Sequence, residues 1–345
     1  MSIYLIDELY NSLREKEKER FSRIFRFDIY TASLVLPQTM KEWIKKRFGS
    51  VSSVKNQKIV KINNIVSGEG TLFNELRSKR PIEREDVKIE KKDCSFCDAL
   101  ENTPEDEFGR IHGKNCITAS NIAKYDVYHS LVIFNEHNPY STKNLEEYLA
   151  TAFNWCRKVN ETDKDAIYPL IIWNCMYRAG ASIVHGHLQM TVTKHFHYGK
   201  IELLNSRRLE YENKYGSSYF NDLYKIHSSF GIGIKDKDVK IMAYLTPLKE
   251  KEIFMIAEKL KNLFKSIKKI IDFYLYLNVD SFNLSIYMPP FSNTKAWEGF
   301  PVIARIVDRG ALSSKTADFG AMELYANSVV ATDPFELYNI LVKFI

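Results

Sequence analysis

The same succession of elements, strand, helix, strand and strand, is indicated twice in the chain, over residues 125–193 and, less regularly, over residues 240–309. In the first copy, apolar β-forming runs predict the strands, and a helix that begins after Asn144 separates them. In the second copy, the apolar spacing over residues 253–271 predicts a long amphipathic helix before the next strand. We interpret the two copies as a diverged duplication that folds as an α+β protein, with largely antiparallel sheet and helices packed on one face.

This interpretation divides the chain into three parts. Residues 1–65 form an N-terminal extension, residues 66–238 form the first half, and residues 239–345 form the second half. All eight histidines lie at or before His227, so the second half has no histidine with which to bind a metal. We therefore expect the second half to be a degenerate copy, and the functional site to lie in the first half.

Two histidines and a glutamine occupy alternate positions near the end of the first half, as His185, His187 and Gln189. Their neighbours predict a strand over residues 182–193, and alternate residues of a strand share one face. An imidazole on that face can attack phosphorus or bind a metal, and an amide can donate to a phosphoryl oxygen. The pattern alone also fits two surface histidines on an exposed strand, so further residues have to decide.

A pair of cysteines, Cys94 and Cys97, supplies that evidence. Their spacing lets both thiolates reach one tetrahedral zinc ion from a tight turn. The same spacing serves redox chemistry when a βαβ unit surrounds it, whereas here a charged stretch precedes the pair and a loop-like segment follows. Zinc needs two further ligands from elsewhere in the chain. His137 and His185 are the candidates, and His112 and His129 compete with His137, so spacing alone leaves that choice open.

Bulk properties fit a protein of the cytoplasm. Of the 345 residues, 45% are hydrophobic and 27% are charged, which suffices for a core and is ordinary for a soluble chain. No apolar run reaches the ~18 residues of a membrane span, and the N-terminus lacks the basic segment of a signal peptide. Five cysteines without a disulfide-like framework fit a reducing compartment. We interpret the net charge of +6 as a solvated surface, and we expect neither nucleic-acid nor membrane binding.

Five segments, in order, resemble the galactose-1-phosphate uridylyltransferase branch of the histidine-triad (HIT) superfamily, which includes ADP-glucose phosphorylase-like and diadenosine tetraphosphate phosphorylase-like enzymes. They are the basic segment 76–81, the pair Cys94 and Cys97, the strand end 132–137, the segment 174–189 and the Gly-x-Glu segment 320–324. Any one of them is a weak signal, but their joint occurrence is specific. The resemblance spans roughly residues 70–340 and implies a HIT-like fold of two related halves.

The resemblance also implies a role for each matching residue. His187 would be the nucleophile that attacks the α-phosphorus of a nucleotide donor. Gln189 would contact the transferred phosphoryl group, and Ser182 would contact the diphosphate. The ligands of one zinc ion, structural because four protein ligands leave no open position, would be Cys94, Cys97, His137 and His185. The remaining contacts to substrate would come from Arg77, Arg80, Asn121, Asn174, Gly180 and Glu323.

The implied activity is a nucleotidyl transfer in two displacements, with a covalent nucleotidyl-histidine between them. UMP or AMP would pass between a nucleotide sugar and either a sugar-1-phosphate or phosphate. Two other functions fit the same residues: a phosphorylase or hydrolase of dinucleoside polyphosphates, and a zinc-stabilised nucleotide-binding protein without turnover. Members of this branch often form dimers, so the resemblance also implies a homodimer.

Two residues depart from the pattern of the branch. Gly186 stands between the two histidines, where uridylyltransferases usually have proline, so we expect a less restrained backbone at this point. Ile122 stands where those enzymes often have a ribose-binding aspartate. The base of the nucleotide therefore cannot be taken over from the galactose enzyme.

Overall fold

A computed structural model describes residues 1–79, 94–124, 126–292 and 294–345. The predicted substrate contact Arg80 lies outside these ranges. The strands of the described part are β1 Phe25–Ser33, β2 Asn56–Asn64, β3 Gly70–Phe73, β4 Cys116–Ser120, β5 Tyr128–Phe134, β6 Ala166–Cys175, β7 His187–Lys194, β8 Gly233–Asp236, β9 Val239–Ala243, β10 Glu250–Ala257, β11 Phe282–Tyr287, β12 Val302–Asp308 and β13 Ser328–Val330.

Helices of 4 to 18 residues lie between many of these strands. In chain order the helices of the described part are α1 Ile6–Asn11, α2 Glu15–Ile24, α3 Lys41–Phe48, α4 Val51–Lys55, α5 Ala99–Asn102, α6 Leu145–Thr162, α7 Gly199–Tyr215, α8 Tyr219–Ser229, α9 Leu260–Tyr276, α10 Ala321–Tyr325 and α11 Pro334–Phe344. None of the described helices is long and apolar enough to cross a membrane.

Nine of the strands form one antiparallel sheet in the order β4-β5-β7-β6-β11-β12-β10-β9-β8. From the central pair outwards, the strands on one side are β6, β7, β5 and β4, and those on the other side are β11, β12, β10 and β9. Each strand of the first set corresponds in chain order to one of the second. Each copy also has its long helix, α6 or α9, at the same place in the chain order. The α+β fold with two related halves, predicted from the repeated pattern, is therefore confirmed.

The two long helices cover one face of the sheet. On α6, Leu149, Ala152 and Trp155 are fully buried against the strands, at the helical spacing that gives a helix one apolar face. Burying a side chain such as Leu149 stabilises the fold by about 1.5–3 kcal/mol. Strand β7 alternates accordingly: Leu188 and Met190 join the core beneath α6, whereas the residues between them belong to the opposite face.

A second sheet, β1-β2-β3-β13, joins the two ends of the chain. Strands β1 and β2 pair along nine residues each, and β13 adds parallel to β3. Near the N-terminus, Ser2 Oγ and the backbone N–H of Ile3 both donate to the carboxylate of Asp333, at 2.5 and 2.9 Å. Residues 1–65, predicted as an N-terminal extension, thus supply two of the four strands of this sheet. The division of the chain at residues 65 and 238 stays a prediction.

Several predicted elements differ in extent. Ile253 and Ile256 lie on β10 rather than on the long helix, which begins only at Leu260. Strand β10 lies between β12 and β9 and its residues 252–257 are all buried, so its continuous apolar run imitates the stripe of a helix. Asn144 precedes α6 as predicted, but its side chain makes no cap hydrogen bond. The segment 198–238, whose polar, tyrosine-rich sequence predicts one helix and a connecting loop, contains two helices and strand β8.

Candidate functional site

Two cysteines and two histidines converge where β5 and β7 meet the segment before α5. Cys94, Cys97, His137 and His185 each offer one ligand atom, and these atoms lie within 4.8 Å of one another. Cys97 Sγ lies 3.1 Å from His137 Nδ1, and Cys94 Sγ lies 3.4 Å from His185 Nδ1. A tetrahedral zinc ion with these ligands requires separations of roughly 3.3–3.8 Å. The four residues fit such an ion closely, and the competing candidates His112 and His129 are not part of the cluster.

Short-range structure orients the cysteines. Cys94 directly precedes a single 3-10 turn, Ser95–Asp98, and Cys97 lies within it; a hydrogen bond of 3.1 Å runs from the backbone N–H of Cys97 to the carbonyl of Cys94. Between them, Phe96 points inwards and lies edge-on to both imidazoles, with ring centroids 5.9 Å from His185 and 5.3 Å from His187. The turn therefore presents two thiols to the cluster while its apolar residue packs beside the histidines.

Main-chain carbonyls fix which nitrogen each imidazole presents. His185 Nε2 donates to the carbonyl of Phe134 at 2.7 Å, which leaves Nδ1 as the atom that faces the cysteines. His187 Nδ1 donates to the carbonyl of His185 at 2.8 Å, which leaves its Nε2 lone pair unprotonated. Within the described residues, no hydrogen bond engages that Nε2 atom. Burial lowers the pKa of His187, so the neutral imidazole is favoured at neutral pH.

Gly186, between these histidines, is held by close packing. A Cβ atom at this position would lie 2.3 Å from Cδ2 of Phe134 and 2.9 Å from the carbonyl oxygen of Asn138. Its own carbonyl accepts a hydrogen bond from the Phe134 N–H at 2.9 Å. The expectation of a less restrained backbone was wrong, because residue 186 is a glycine for lack of space rather than for flexibility.

The third residue of the pattern, Gln189, is buried on β7, opposite Leu131 on β5 and Ile172 on β6. Its Oε1 atom lies 3.2 Å from Nε2 of His129. The same Nε2 atom lies 3.1 Å from Nδ2 of Asn121, so two of the predicted substrate contacts, Gln189 and Asn121, meet at one imidazole. The sequence did not assign His129 this place, although its alternation with Leu131 on a strand would have put both on the site face.

The predicted strand over residues 182–193 begins only at His187, because residues 176–186 form a loop. Met176 and Gly180 have φ angles of 71° and 95°, in the left-handed region that turns the chain sharply. Ser182, expected to contact the diphosphate, lies exposed on this loop.

The second half of the chain supports this loop through hydrogen bonds from strand β11. Nδ2 of Asn283, on β11, donates to Oδ1 of Asn174 at 2.7 Å and to the carbonyl of Ala179 at 2.8 Å. Arg309 in turn donates to Oδ1 of Asn283. Sequence reasoning missed Asn283, whose signal is a polar residue between the inward-facing Phe282 and Leu284 of a strand.

Two predicted substrate contacts lie elsewhere. Arg77 and Glu323 line a cavity of about 570 Å³, together with Lys249 and Arg309. Glu323 accepts a hydrogen bond from the backbone N–H of Gly320 at 2.9 Å. His187 and the cysteine–histidine cluster do not line this cavity in the described part of the chain, so a single copy does not bring these two residues to the histidine site.

Known proteins resemble the chain in two ways. No protein-family model matches it. An uncharacterized protein of Archaeoglobus fulgidus is 24% identical over 224 residues, 59% of this chain and 67% of that protein. Among solved structures, an ADP-glucose phosphorylase from Arabidopsis thaliana with bound ADP-glucose superposes with a TM-score of 0.63 at 15% identity, covering 81% of this chain and 97% of that chain. A uridylyltransferase superposes with a TM-score of 0.56 at 12% identity, over 82% and 97% of the two chains.

The chain has the same fold as this phosphorylase and this uridylyltransferase, here called the uridylyltransferase-type fold. The agreement with the phosphorylase extends over about four fifths of this chain. A shared fold at this identity does not carry an activity with it. Within the uridylyltransferase-type fold, the function of this chain has to be inferred from the residues around His187.

Proposed function

We propose that the protein is a nucleotidyltransferase that forms a covalent nucleotidyl intermediate on His187. The observation that carries this proposal is the hydrogen bond of 2.8 Å from His187 Nδ1 to the carbonyl of His185. It fixes the tautomer whose Nε2 is an unprotonated nucleophile, so no base is needed to activate it. The same carbonyl faces the N–H group that becomes positively charged when Nε2 bonds to phosphorus, and it stabilises that charge.

Two displacements account for the transfer. In the first, Nε2 bonds to the α-phosphorus as the bond to the bridging oxygen breaks, and the leaving phosphate departs with the electron pair. In the second, an oxygen of the acceptor phosphate attacks the same phosphorus, and Nε2 leaves with its own electron pair. His187 returns to its starting tautomer, so the cycle consumes neither protons nor oxidant.

Fixed donors are needed where negative charge develops on the phosphoryl oxygens. Gln189 on β7 lies two residues beyond the nucleophile and would donate through its amide. Ser182 and the backbone N–H groups near Gly180 would contact the diphosphate from the loop before β7. Arg77 and Glu323 belong to this proposal only if a second copy of the chain supplies them, since they line a different cavity in one chain.

Cys94, Cys97, His137 and His185 would hold one zinc ion. Bound there, zinc would cross-link the 3-10 turn, the segment after β5 and the loop before β7. Because His185 is two residues from His187, this cross-link would hold the nucleophile in place without taking part in the displacement.

The shared fold supports a class of substrate. The solved phosphorylase of the same fold holds ADP-glucose, and a second neighbour is a uridylyltransferase. We therefore propose a nucleoside diphosphate sugar as donor, and a sugar-1-phosphate or inorganic phosphate as acceptor. A dinucleoside polyphosphate is the alternative donor, since attack by His187 on its α-phosphorus needs the same groups.

Intact-protein mass spectrometry after incubation with UDP-glucose, ADP-glucose or diadenosine tetraphosphate tests the proposal. We expect a mass increase of one UMP or AMP with one donor, no adduct in His187→Ala, and an unchanged adduct in the control His195→Asn, which changes an exposed histidine. The donor that reacts identifies both the base and the class of substrate. Absence of an adduct with every donor, or its persistence in His187→Ala, would refute the mechanism.

A further inference from the structure

Two asparagines face each other at the centre of the nine-stranded sheet, where its two halves meet. Asn174 on β6 is paired with Asn283 on β11, so one belongs to the half that carries His187 and the other to the half without histidines. Nδ2 of Asn283 donates to Oδ1 of Asn174 at 2.7 Å and to the carbonyl of Ala179 at 2.8 Å. Both N–H groups of the Asn283 amide are therefore used, one on Asn174 and one on the loop before β7.

The neighbours of Asn283 fix which end of its amide points where. Arg309 donates from Nη1 to Oδ1 of Asn283, and a guanidinium group can only donate. The carbonyl of Ala179 can only accept, so the NH₂ group of Asn283 has to face it. Arg309 is itself anchored, because its Nε and Nη2 donate to the carboxylate of Asp318 at 2.6 and 3.0 Å. A reversed Asn283 amide would place donor against donor at Arg309 and acceptor against acceptor at Ala179.

The orientation of Asn283 in turn sets that of Asn174. Because an NH₂ group can only donate, Oδ1 of Asn174 has to face Asn283, and Nδ2 of Asn174 takes the other side. A Cβ atom built on Gly180 would lie 3.9 Å from this Nδ2 atom, so the NH₂ group of Asn174 faces the loop that carries Gly180 and Ser182. Within the described ranges, Nδ2 of Asn174 makes no hydrogen bond, and its N–H groups are available to a ligand.

We infer that Asn283 is a positioning residue, which turns the NH₂ group of Asn174 toward the loop before β7 so that it donates to the diphosphate of the nucleotide. The inference rests on the function proposed above and gives the half without histidines a part in it. Phosphoryl oxygens are stabilised by fixed N–H donors. A reversed Asn174 would instead present Oδ1, a partly negative atom, to the same oxygens.

Two substitutions of Asn283 separate positioning from support of the fold. Asn283→Asp has nearly the same shape and keeps an acceptor for Arg309, but its carboxylate can only accept, so it turns the NH₂ group of Asn174 toward itself. Asn283→Ala removes all three hydrogen bonds without reversing Asn174. If Asn283 only supported the fold, aspartate would be the milder change. If it positions Asn174, aspartate is the more damaging change for the reaction.

Asn160→Asp is the matched control. Nδ2 of Asn160, on α6, donates to the carbonyl of Ala166 at 3.0 Å, at the opposite end of β6 from Asn174. The substitution is the same isosteric change and also sets a carboxylate against a main-chain carbonyl. It should therefore reduce stability without reaching the proposed site.

The measurement is the single-turnover rate of adduct formation at saturating donor, with donor affinity and melting temperature recorded for each variant. We expect Asn283→Asp to slow adduct formation roughly a hundredfold and Asn283→Ala about tenfold, as for the loss of a preorganised donor. The aspartate variant should nevertheless melt no lower than the alanine variant, since it keeps the contact with Arg309. The control Asn160→Asp should keep the wild-type rate although its melting temperature falls.

A double-mutant cycle with Asn174→Ala distinguishes a turned amide from the added charge. In that background we expect Asn283→Asp to slow the reaction much less, because no amide remains to be turned. An equally large loss in both backgrounds would mean that the charge acts by itself, and it would overturn the inference. So would a wild-type rate in Asn283→Asp, or an alanine variant slower than the aspartate variant.

Should Asn283→Asp fail to fold, the cycle is made with Asn283→Ala, whose loss of rate should likewise shrink when Asn174 is alanine. An undiminished loss would then overturn the inference. These outcomes concern variants of a protein that forms the adduct, so they leave the proposed function standing. A wild-type protein that forms no adduct would overturn the proposed function and this inference with it.

Discussion

The main chain sets the chemistry of individual side chains in this site. Each of the two histidines ties one ring nitrogen to a carbonyl, so that His185 turns Nδ1 to the cysteines and His187 keeps the Nε2 lone pair. Both carbonyls, those of Phe134 and His185, are held within 3 Å of the rings by the pairing of β5 with β7. Changes that move the backbone by a few tenths of an ångström are therefore expected to affect the imidazoles directly.

Gly186→Ala is such a change. The added Cβ would lie 2.3 Å from Phe134, so the backbone or the ring has to shift, and overpacking of this kind costs about 1–3 kcal/mol. Chemical denaturation should show that loss in the free energy of unfolding, together with slower adduct formation. Gly199→Ala is the matched control, because its Cβ would meet no atom within 4 Å. Equal stability of both variants would contradict this account, and Phe134→Leu should partly restore Gly186→Ala.

At the scale of elements, the site depends on three segments that meet at the cysteine–histidine cluster: the 3-10 turn Ser95–Asp98, the residues after β5 and the loop before β7. Cys97 is exposed and the turn around it is short. An isolated turn of this kind has little stability of its own, so a bound ion would hold it in place.

Replacing either cysteine should therefore lower metal content and stability together. We expect Cys94→Ser and Cys97→Ser to reduce zinc from one ion per chain to a small fraction, measured by inductively coupled plasma mass spectrometry, and to lower the melting temperature. His112→Asn tests the competing ligand and should leave the zinc content unchanged, since His112 is not in the cluster. Full zinc content in both cysteine variants would show that the ion binds elsewhere.

Sequence patterns predicted these elements unequally. Strand β5 and helix α6 were predicted well, because one has a regular run of β-formers and the other an apolar stripe. Strand β10 was taken for helix, since a strand buried on both faces has no alternation to reveal it. Ligand spacing did not decide between His112, His129 and His137, and only the folded chain, which joins residues far apart in sequence, places His137 in the cluster and His129 beside Gln189.

For the whole molecule, the symmetric sheet shows how the two halves have diverged. Strand β12 corresponds to β7 but contains no histidine. It carries Arg305, whose guanidinium contacts Glu252 and Glu69 at 2.6 and 2.5 Å, so this strand offers no imidazole nucleophile. The second half instead supports the first through Asn283, which holds the loop before β7.

The stability of the whole fold at acid pH depends on two histidines outside the site, His197 and His227, because both are buried. Burial lowers the pKa of His197 and of His227 to about 4, whereas an unfolded chain restores the usual value near 6.5. Between these pH values the unfolded state binds more protons than the folded state, so the free energy of unfolding decreases as the pH falls. The slope is about 1.4 kcal/mol per pH unit for each histidine, and the total loss is roughly 3 kcal/mol for each.

His227→Gln should remove one part of that slope. Glutamine does not titrate, yet it can replace both hydrogen bonds of His227, which donates to the carbonyl of Leu223 at 2.8 Å and accepts from the N–H of Leu245 at 3.1 Å. Urea denaturation at a series of pH values between 7 and 4 should therefore give a wild-type curve that falls more steeply than that of His227→Gln. His112→Gln, which changes an exposed histidine, should follow the wild-type curve. Parallel curves for wild type and His227→Gln would mean that His227 is protonated in the folded protein, and its contacts would then have to differ from those described.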